Sequence, residues 1–353
     1  MNKLFSWALG NGPSQTSRPE KRVNLALQGG GAHGAFTWGV IDQLLEDGRV
    51  GIDGLSGASA GALNAVMLAD GLIRGGPQEA RKRLAEFWRA ASVDGNLTNV
   101  QRHVMEQLFL ANSFASAPMK TWLRSMGVPP SVNPLKLNPL KQLIERFVDF
   151  AAIRASGRDL FISATNAQTG GLRIFTAPEL TAEAVMASAA LPPLFRAVEI
   201  EGVSYWDGGY TSNPPLLPFL ETSQSEDVLL VQIFPPREAM PISARDVAGR
   251  TSEIAFTAPL LGELRALAAI DRMAEEQGGR AARRLRLHCI ALDEGEVATD
   301  PASRLNNRYE FFQTLHELGR RAAQRFLAEH FDAIGTRSTM DAAAEADQDY
   351  ARG

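Results

Sequence analysis

Short apolar runs alternate with amphipathic stretches through much of residues 23–235, and this alternation predicts strands connected by helices. The first run, residues 23–27, is continuous and stops at a series of glycines, which is typical of a buried strand. Apolar residues at helical spacing follow and stop at Gly48, which predicts a helix. A second strand over residues 51–59 leads into a turn and another helix. This order predicts a parallel α/β sheet with its chemistry at the carboxyl ends of the strands.

The rest of the chain is predicted to be a helical insertion, two hairpins and a C-terminal region of long helices. The insertion covers about 77–150, and its residues 100–126 carry many apolar groups with little regular pattern, so they are a candidate lid over an apolar pocket. The predicted organisation is a mobile N-terminal arm (1–20), a core domain (21–235), a helical and strand region packed on that core (236–334) and a polar tail (335–353).

Composition excludes some function classes. The chain of 353 residues has a formal net charge of −4, so no nucleic-acid partner is expected. A single cysteine and no apolar run of bilayer-spanning length lead us to expect a cytoplasmic protein. Residues 280–286 form a basic cluster, which is either a peripheral membrane contact or a solvated helix end. The sequence predicts no oligomeric state.

The glycines that follow the first strand allow two interpretations. Gly29-x-Gly31-x-x-Gly34 matches the pattern of a dinucleotide-binding loop. Such a site needs an acidic residue at the end of the next strand, whereas Asp53 precedes that end. The other interpretation is an oxyanion hole, in which consecutive glycines expose backbone N–H groups to a carbonyl oxygen that becomes negative during acyl transfer. Both interpretations use bare backbone donors at a helix N-terminus.

The second strand ends in the pentapeptide Gly57-Ala58-Ser59-Ala60-Gly61. A Gly-x-Ser-x-Gly sequence between a strand and a helix is typical of a strained turn that presents a nucleophilic serine. The alternative is a plain small-residue turn in which Ser59 caps the helix. The serine favours the oxyanion-hole interpretation of the glycine loop, because a serine turn is a poor contact for a ribose.

A nucleophilic serine requires a base, and the five histidines are placed in unsuitable contexts. They are His33 in the glycine loop, His103 and His316 in helical patterns, His288 in a predicted buried strand and His330 near the tail. Asp207, by contrast, ends an apolar strand and is followed by Gly208 and Gly209, which permit a close approach to another turn. A carboxylate held near a serine in a dry cleft can accept its proton. The alternative for this stretch is an ordinary turn.

The glycine loop, the serine pentapeptide and the Asp-Gly-Gly turn resemble, in this order, the three motifs of the patatin-like phospholipases. Residues 188–195 resemble the segment that precedes the aspartate in that family, and the resemblance covers about residues 22–235. It implies a three-layer α/β/α sandwich with a mostly parallel central sheet. It also implies a serine lipid acyl hydrolase that acts on fatty-acyl esters or phospholipids with a Ser-Asp dyad and without metal or cofactor.

Carried over by position, the resemblance makes Ser59 the nucleophile and Asp207 the general base. The oxyanion donors are then the N–H groups of the glycines at 29–31, with Ala60 assisting at the turn. Two positions depart from the family pattern: Gln28 stands where an aspartate is frequent, and His33 stands where an arginine is frequent.

Three alternatives stay open. A thioesterase or an acyltransferase would use the same dyad with another acyl acceptor, because the dyad only makes the acyl-enzyme. A nucleotide-binding module would use the glycine loop without the serine or the aspartate. The third alternative is a binding protein that has the hydrolase fold but no catalytic activity. Chain length and head group of the substrate are not predicted.

Overall fold

The computed structural model describes residues 19–93, 139–192, 195–234, 244–276, 284–293 and 303–346. Within them, eight strands form one sheet in the order β5-β6-β3-β2-β1-β7-β8, with β4 also paired to β3. The strands are β1 (Lys21–Leu27), β2 (Val50–Gly57), β3 (Leu160–Asn166), β4 (Leu172–Thr176), β5 (Val198–Ile200), β6 (Val203–Asp207), β7 (Asp227–Gln232) and β8 (Arg286–Ala291). The five strands β3, β2, β1, β7 and β8 are parallel, whereas β4, β5 and β6 form antiparallel pairs.

Helices cover the sheet. They are α1 (Gly34–Asp47), α2 (Ala60–Ala91), α3 (Pro139–Phe147), α4 (Phe150–Ala155), α5 (Ala182–Ser188), α6 (Ala244–Glu276), α7 (Tyr309–His330) and α8 (Ala342–Ala346). Helix α1 ends at Gly48, which has a left-handed φ of 75°, as the sequence predicts. Helix α2 is kinked because Gly75 and Gly76 leave helical geometry just before Pro77.

The central strands are buried on both faces, which explains why they are continuously apolar. In β1, Leu25 and Leu27 belong to the core beneath α1, α2 and α7, while Ala26 belongs to the core beneath α6. Strand β7 alternates in the same way. The chain therefore forms the predicted three layers, with a mostly parallel sheet between two layers of helices.

Two predicted elements differ from the structure. The sequence predicts one helix over residues 139–150, but α3 ends at Phe147. The Asp149 carboxylate accepts the N–H of Ala152 (3.0 Å) and so begins a separate helix, α4. The polar tail predicted from residue 335 includes a segment, residues 338–340, that contacts the sheet. The N–H groups of Thr339 and Met340 donate to the Leu287 carbonyl on β8 (2.9 and 3.1 Å), so this segment is bound to the sheet.

Other predictions fall outside the described residues. These are the N-terminal arm through residue 18, the candidate lid at 100–126 and residues 280–283 of the basic cluster. The two described arginines of that cluster are in ion pairs, Arg284 with Glu275 (3.1 Å) and Arg286 with Glu226 (2.8 Å). None of the helices in the described ranges has the length and apolar character needed to cross a membrane.

Candidate active site

The serine turn connects β2 to α2. Ser59 has φ 52° and ψ −121°, a conformation that costs a non-glycine residue about 1–3 kcal/mol. Its hydroxyl makes no capping hydrogen bond to α2, so the capping alternative is not supported. A Cβ at Gly61 would lie 1.9 Å from the Leu27 carbonyl oxygen, and a Cβ at Gly57 would lie 2.6 Å from the Gly61 carbonyl. Both glycines of the motif therefore allow β1, β2 and the start of α2 to pack closely.

Strand pairing brings Asp207 next to this turn. Strand β4 pairs along β3 through Phe161–Thr165, so it occupies one edge of β3, and β2 and β6 must share the other edge. On that shared edge Gly57 lies opposite Ile162 and Asp207 lies opposite Ala164. The ends of β2 and β6 thus meet two residues apart along β3, a distance of about 7 Å.

The Asp207 carboxyl group is buried, with none of the residue exposed. Burial raises the pKa of Asp207 from 3.8 to about 7, while hydrogen bonding from the Gly209 N–H and the Ser59 hydroxyl acts to lower it. Its Oδ1 accepts the Gly209 N–H at 2.8 Å, and its Oδ2 has no hydrogen bond of ordinary length and angle within the described chain. A Cβ at Gly208 would lie 2.2 Å from the Ser163 carbonyl oxygen, which explains the first glycine after the aspartate.

One short segment, residues 188–190, holds the backbones of both Ser59 and Asp207. The Ser59 N–H donates to the Ser188 hydroxyl at 3.0 Å, and the Asp207 N–H donates to the Ala190 carbonyl at 3.0 Å. Ser188 is fully buried at the end of α5. The segment that resembles the family's stretch before the aspartate therefore fixes the serine backbone relative to the aspartate backbone.

The glycine loop faces the same point, with one correction to the predicted donors. The Gly29 N–H donates to the Asn213 side-chain oxygen at 2.7 Å, so the prediction of Gly29 as an oxyanion donor is wrong. The N–H groups of Gly30, Gly31 and Ala60 donate no hydrogen bond to any residue that the structure describes. These three groups are unpaired beside Ser59 in the lining of one cavity.

The other motif residues of the loop are structural. Gly34 begins α1, and its carbonyl accepts a hydrogen bond from the buried Asn64 side chain (2.9 Å). Gln28 uses its side-chain oxygen to accept the N–H groups of Ile233 (2.8 Å) and Phe234 (3.0 Å). An aspartate carboxylate can also accept hydrogen bonds of this kind. The departure from the family pattern at Gln28 therefore keeps a hydrogen-bonded contact between the glycine loop and residues 233–234.

An apolar cavity of about 190 Å³ opens at Ser59, Asp207 and the glycine loop. An apolar cavity of about 150 Å³ binds a benzene-sized molecule, so this volume accommodates several carbons of an acyl chain. Its large apolar side chains include Leu63, Phe87, Trp88, Phe234, Phe256 and Phe312.

The C-terminal region, which no motif covers, forms part of this wall. Phe256 of α6 and Phe312 of α7 line the cavity, as does Arg304. The Arg304 guanidinium lies over the Phe234 ring (4.3 Å) and donates to the buried Glu253 carboxylate (2.6 Å). No sequence signal indicates these residues, because an isolated arginine or phenylalanine in a helical region has no characteristic pattern.

The four described histidines contact other groups. His33 is buried with its Nε2 2.8 Å from the Ser303 hydroxyl, His288 contacts Asp227 (3.0 Å) and His316 stacks on Trp38 (4.0 Å between ring centroids). His330 lies on α7 beside Phe326. Thus no described histidine hydrogen-bonds to Ser59 or Asp207. No group of three or more metal-ligating side chains is arranged to hold an ion in the described chain.

A strained serine between a strand and a helix, beside a buried carboxyl group on a mostly parallel sheet, is an arrangement suited to an α/β hydrolase. The profile of the patatin-like phospholipases matches residues 25–220, more than half of the sequence, and the chain belongs to that family. Membership in this family implies a lipid acyl hydrolase.

Solved structures of bacterial proteins are similar at low identity. VipD from Legionella pneumophila shares 17% identity over 88% of this chain and 67% of its own, with a TM-score of 0.41. The type III effector ExoU shares 15% identity over 88% of this chain and 54% of its own, with a TM-score of 0.35. In the ExoU–SpcU complex from Pseudomonas aeruginosa, the match covers 89% of this chain and 52% of the other, with 15% identity and a TM-score of 0.36. The chain thus spans about half the length of ExoU, and no curated protein matches it.

Proposed function

We propose that this protein is a serine lipid acyl hydrolase, of the phospholipase A or lysophospholipase type, with Ser59 as nucleophile and Asp207 as general base. The observation that carries the proposal is the state of the Asp207 carboxyl group. It is buried, its Oδ2 has no ordinary hydrogen bond within the described chain, and its pKa lies near 7 because of that burial. A base with a pKa near the working pH is effective in proton transfer.

The proposed reaction has two halves. In the first, the Asp207 carboxylate takes the Ser59 proton while Oγ attacks the ester carbonyl carbon, and the N–H groups of Gly30 and Gly31, with that of Ala60, stabilise the oxyanion. The intermediate collapses, and the departing alcohol or lysolipid takes the proton from Asp207. In the second half, water gives a proton to Asp207 and attacks the acyl-enzyme, and the fatty acid leaves as Ser59 regains its proton.

The apolar cavity supports a lipid substrate over a nucleotide. The donors at the glycine loop face a cavity with mostly apolar walls, and a serine turn follows β2 in place of an acidic residue. A thioesterase or acyltransferase remains the alternative on the same dyad, because the acceptor decides between these reactions.

The test compares the wild type with Ser59→Ala and Asp207→Asn. Each is assayed on a short p-nitrophenyl ester, on phosphatidylcholine liposomes and with a fluorophosphonate probe. We expect wild-type labelling and turnover, and a loss of kcat by about 10³-fold or more in both variants. Asp227→Asn is the matched control, because Asp227 is also a buried aspartate but lies at the amino end of β7. It should keep activity.

Each other outcome rejects a defined part of the proposal. An active Asp207→Asn with an inactive histidine variant would replace the dyad by a triad. Esterase activity without liposome turnover would reject the phospholipid substrate. Faster transfer of the acyl group to an added alcohol or thiol than to water would favour an acyltransferase. We include the basic cluster at 280–286 in the proposal as a membrane contact, and liposome binding that is insensitive to salt would reject it.

A further inference from the structure

We infer that Asn213 is the positioning residue of the oxyanion loop: its side chain fixes Gly29 so that the next two N–H groups face the reacting carbonyl. The inference rests on the proposed function and extends it to a residue that touches neither substrate nor dyad. It starts from the finding that Gly29 is anchored by its N–H and is unavailable to an oxyanion.

The Asn213 amide group has defined partners at both ends. Its Oδ1 accepts the Gly29 N–H at 2.7 Å, and its Nδ2 donates to the Phe256 carbonyl of α6 at 3.0 Å. The same Nδ2 lies 3.5 Å from the Gly29 carbonyl oxygen. Asn213 has no exposed surface, so water does not compete for these contacts. One side chain therefore joins the glycine loop to α6.

The glycine loop needs such an anchor. Glycines adopt many backbone conformations, and a loop with three of them in succession has no intrinsic preference for one orientation of its N–H groups. Gly30 has φ 170° and ψ 35°, and Gly31 has a left-handed φ of 63°. Asn213 contacts the peptides on both sides of Gly29. Its Oδ1 accepts the N–H of the Gln28–Gly29 peptide, and its Nδ2 lies 3.5 Å from the carbonyl oxygen of the Gly29–Gly30 peptide, which carries the Gly30 N–H.

The loop that carries Asn213 is itself fixed. It follows Asp207, and Glu263 of α6 holds it on both sides of Asn213. The Ser212 hydroxyl donates to one Glu263 carboxylate oxygen, and the N–H groups of Leu216 (2.6 Å) and Leu217 (3.0 Å) donate to the other. The base, at the start of this loop, and the oxyanion donors, through Asn213, are thereby positioned from the same segment.

The test separates positioning of the oxyanion from general stability. A long-chain trifluoromethyl ketone forms a tetrahedral adduct with the serine and places an oxyanion among the donors, whereas the corresponding trifluoromethyl alcohol has the same chain and no carbonyl. We expect Asn213→Ala to lower kcat with little change in KM and to raise the inhibition constant of the ketone by about 10- to 100-fold, less than the 10²–10³ of a deleted donor. The alcohol should bind as to the wild type.

Asn24→Ala is the matched control. Asn24 is also a fully buried asparagine whose Oδ1 accepts a glycine N–H, from Gly54 (3.0 Å), and whose Nδ2 donates to a carbonyl, of Ser225 (3.0 Å). It lies in the middle of β1, whereas the glycine loop follows the carboxyl end of this strand. Its replacement should lower the melting temperature in a comparable way and leave the affinity for the ketone unchanged.

Asn213→Asp tests the same contact without removing it. One carboxyl oxygen can accept the Gly29 N–H, and burial favours the protonated form, whose O–H can donate to the Phe256 carbonyl. We expect it to bind the ketone within about threefold of the wild type. A folded Asn213→Asp that selectively loses ketone affinity would overturn the inference, and this holds even where Asn213→Ala does not fold.

Two further results would overturn it. These are equal losses of ketone affinity in Asn213→Ala and Asn24→Ala, and a parallel loss of ketone and alcohol affinity. Failure of the proposed function looks different, because Ser59→Ala and Asp207→Asn would then still turn over ester. If those two are inactive while Asn213→Ala behaves like Asn24→Ala, only the positioning role fails.

Discussion

Replacing Asp207 by asparagine removes a buried charge and keeps the shape of the side chain. The asparagine oxygen can still accept the Gly209 N–H, and the second terminal atom replaces Oδ2, which has no ordinary hydrogen bond in the described chain. A pKa difference of one corresponds to about 1.4 kcal/mol, so the increase from 3.8 to about 7 corresponds to about 4 kcal/mol of destabilisation when Asp207 is ionised. Asp207→Asn should therefore be more stable than the wild type at high pH.

The direction in which the stability of the wild type changes with pH follows from proton binding. Between pH 3.8 and about 7 the folded protein holds a proton on Asp207 that the unfolded chain releases, so stability decreases as the pH rises through this range. The variant lacks this titration. The gain in the free energy of unfolding of Asp207→Asn over the wild type should be near zero at pH 4 and greatest at pH 8. There, about 4 kcal/mol corresponds to an increase in melting temperature of about 5 °C for a chain of this length.

Thermal unfolding of both proteins at pH 4 to 8 measures this difference, and Asp227→Asn provides the opposite control. Burial alone would raise the pKa of Asp227, but hydrogen bonds from His288, Arg286 and the Gly335 N–H lower it to about 2. That carboxylate stabilises the fold above its unfolded pKa, so Asp227→Asn should be destabilised at neutral pH. A pH-independent difference for Asp207→Asn, or a less stable Asp207→Asn at pH 8, would refute the assignment of a buried, weakly bound carboxylate.

Three other predictions concern activity. Because Asp207 must be ionised to act as base, kcat/KM for an uncharged ester should rise about tenfold per pH unit up to about pH 7 and then level off, and a flat profile from pH 5 would contradict this role. Leu63→Trp should fill part of the cavity, lowering kcat/KM for long-chain p-nitrophenyl esters by about tenfold or more while acetate ester turnover stays within about threefold; equal effects on both would contradict an acyl site there. Ser188→Ala should leave the Ser59 N–H without its hydrogen-bond partner, which should lower the free energy of unfolding by about 1–3 kcal/mol and also lower kcat. Ser188→Thr keeps a hydroxyl group, so it should retain most of the stability and most of the activity.

The sequence indicates the proposed catalytic residues but not the residues that hold them in place. Ser59 and Asp207 each lie at the end of an apolar strand, and a local pattern indicates them. Their meeting depends on how β2 and β6 share an edge of β3, which is a long-range pairing that only the family resemblance supplies. Gly29 shows the limit most clearly: the partner of its N–H is Asn213, 184 residues away, so the glycine pattern alone could not exclude Gly29 as an oxyanion donor.

The candidate site combines three features that a stable protein avoids. Ser59 has a strained backbone, Asp207 is a buried carboxyl group without a partner for Oδ2 in the described chain, and the N–H groups near Gly30 are unpaired there. Each is unfavourable in the resting protein. In the proposed reaction the carboxyl group would gain a proton and the N–H groups would gain an oxyanion as acceptor. Such features persist only where the surroundings fix them.

The surroundings here do so through hydrogen bonds from distant parts of the chain. Ser188 holds the serine backbone, Asn213 holds the glycine loop, and Glu263 holds the segment after the aspartate. This division predicts opposite signs on substitution: Asp207→Asn should stabilise the protein at high pH while abolishing turnover, and changes in the three supports should destabilise it. The cluster around Asp227 contains an aspartate and a histidine in contact, but its carboxylate is fully paired, so its loss only destabilises. Stability measured beside activity therefore distinguishes the proposed catalytic aspartate from the structural one.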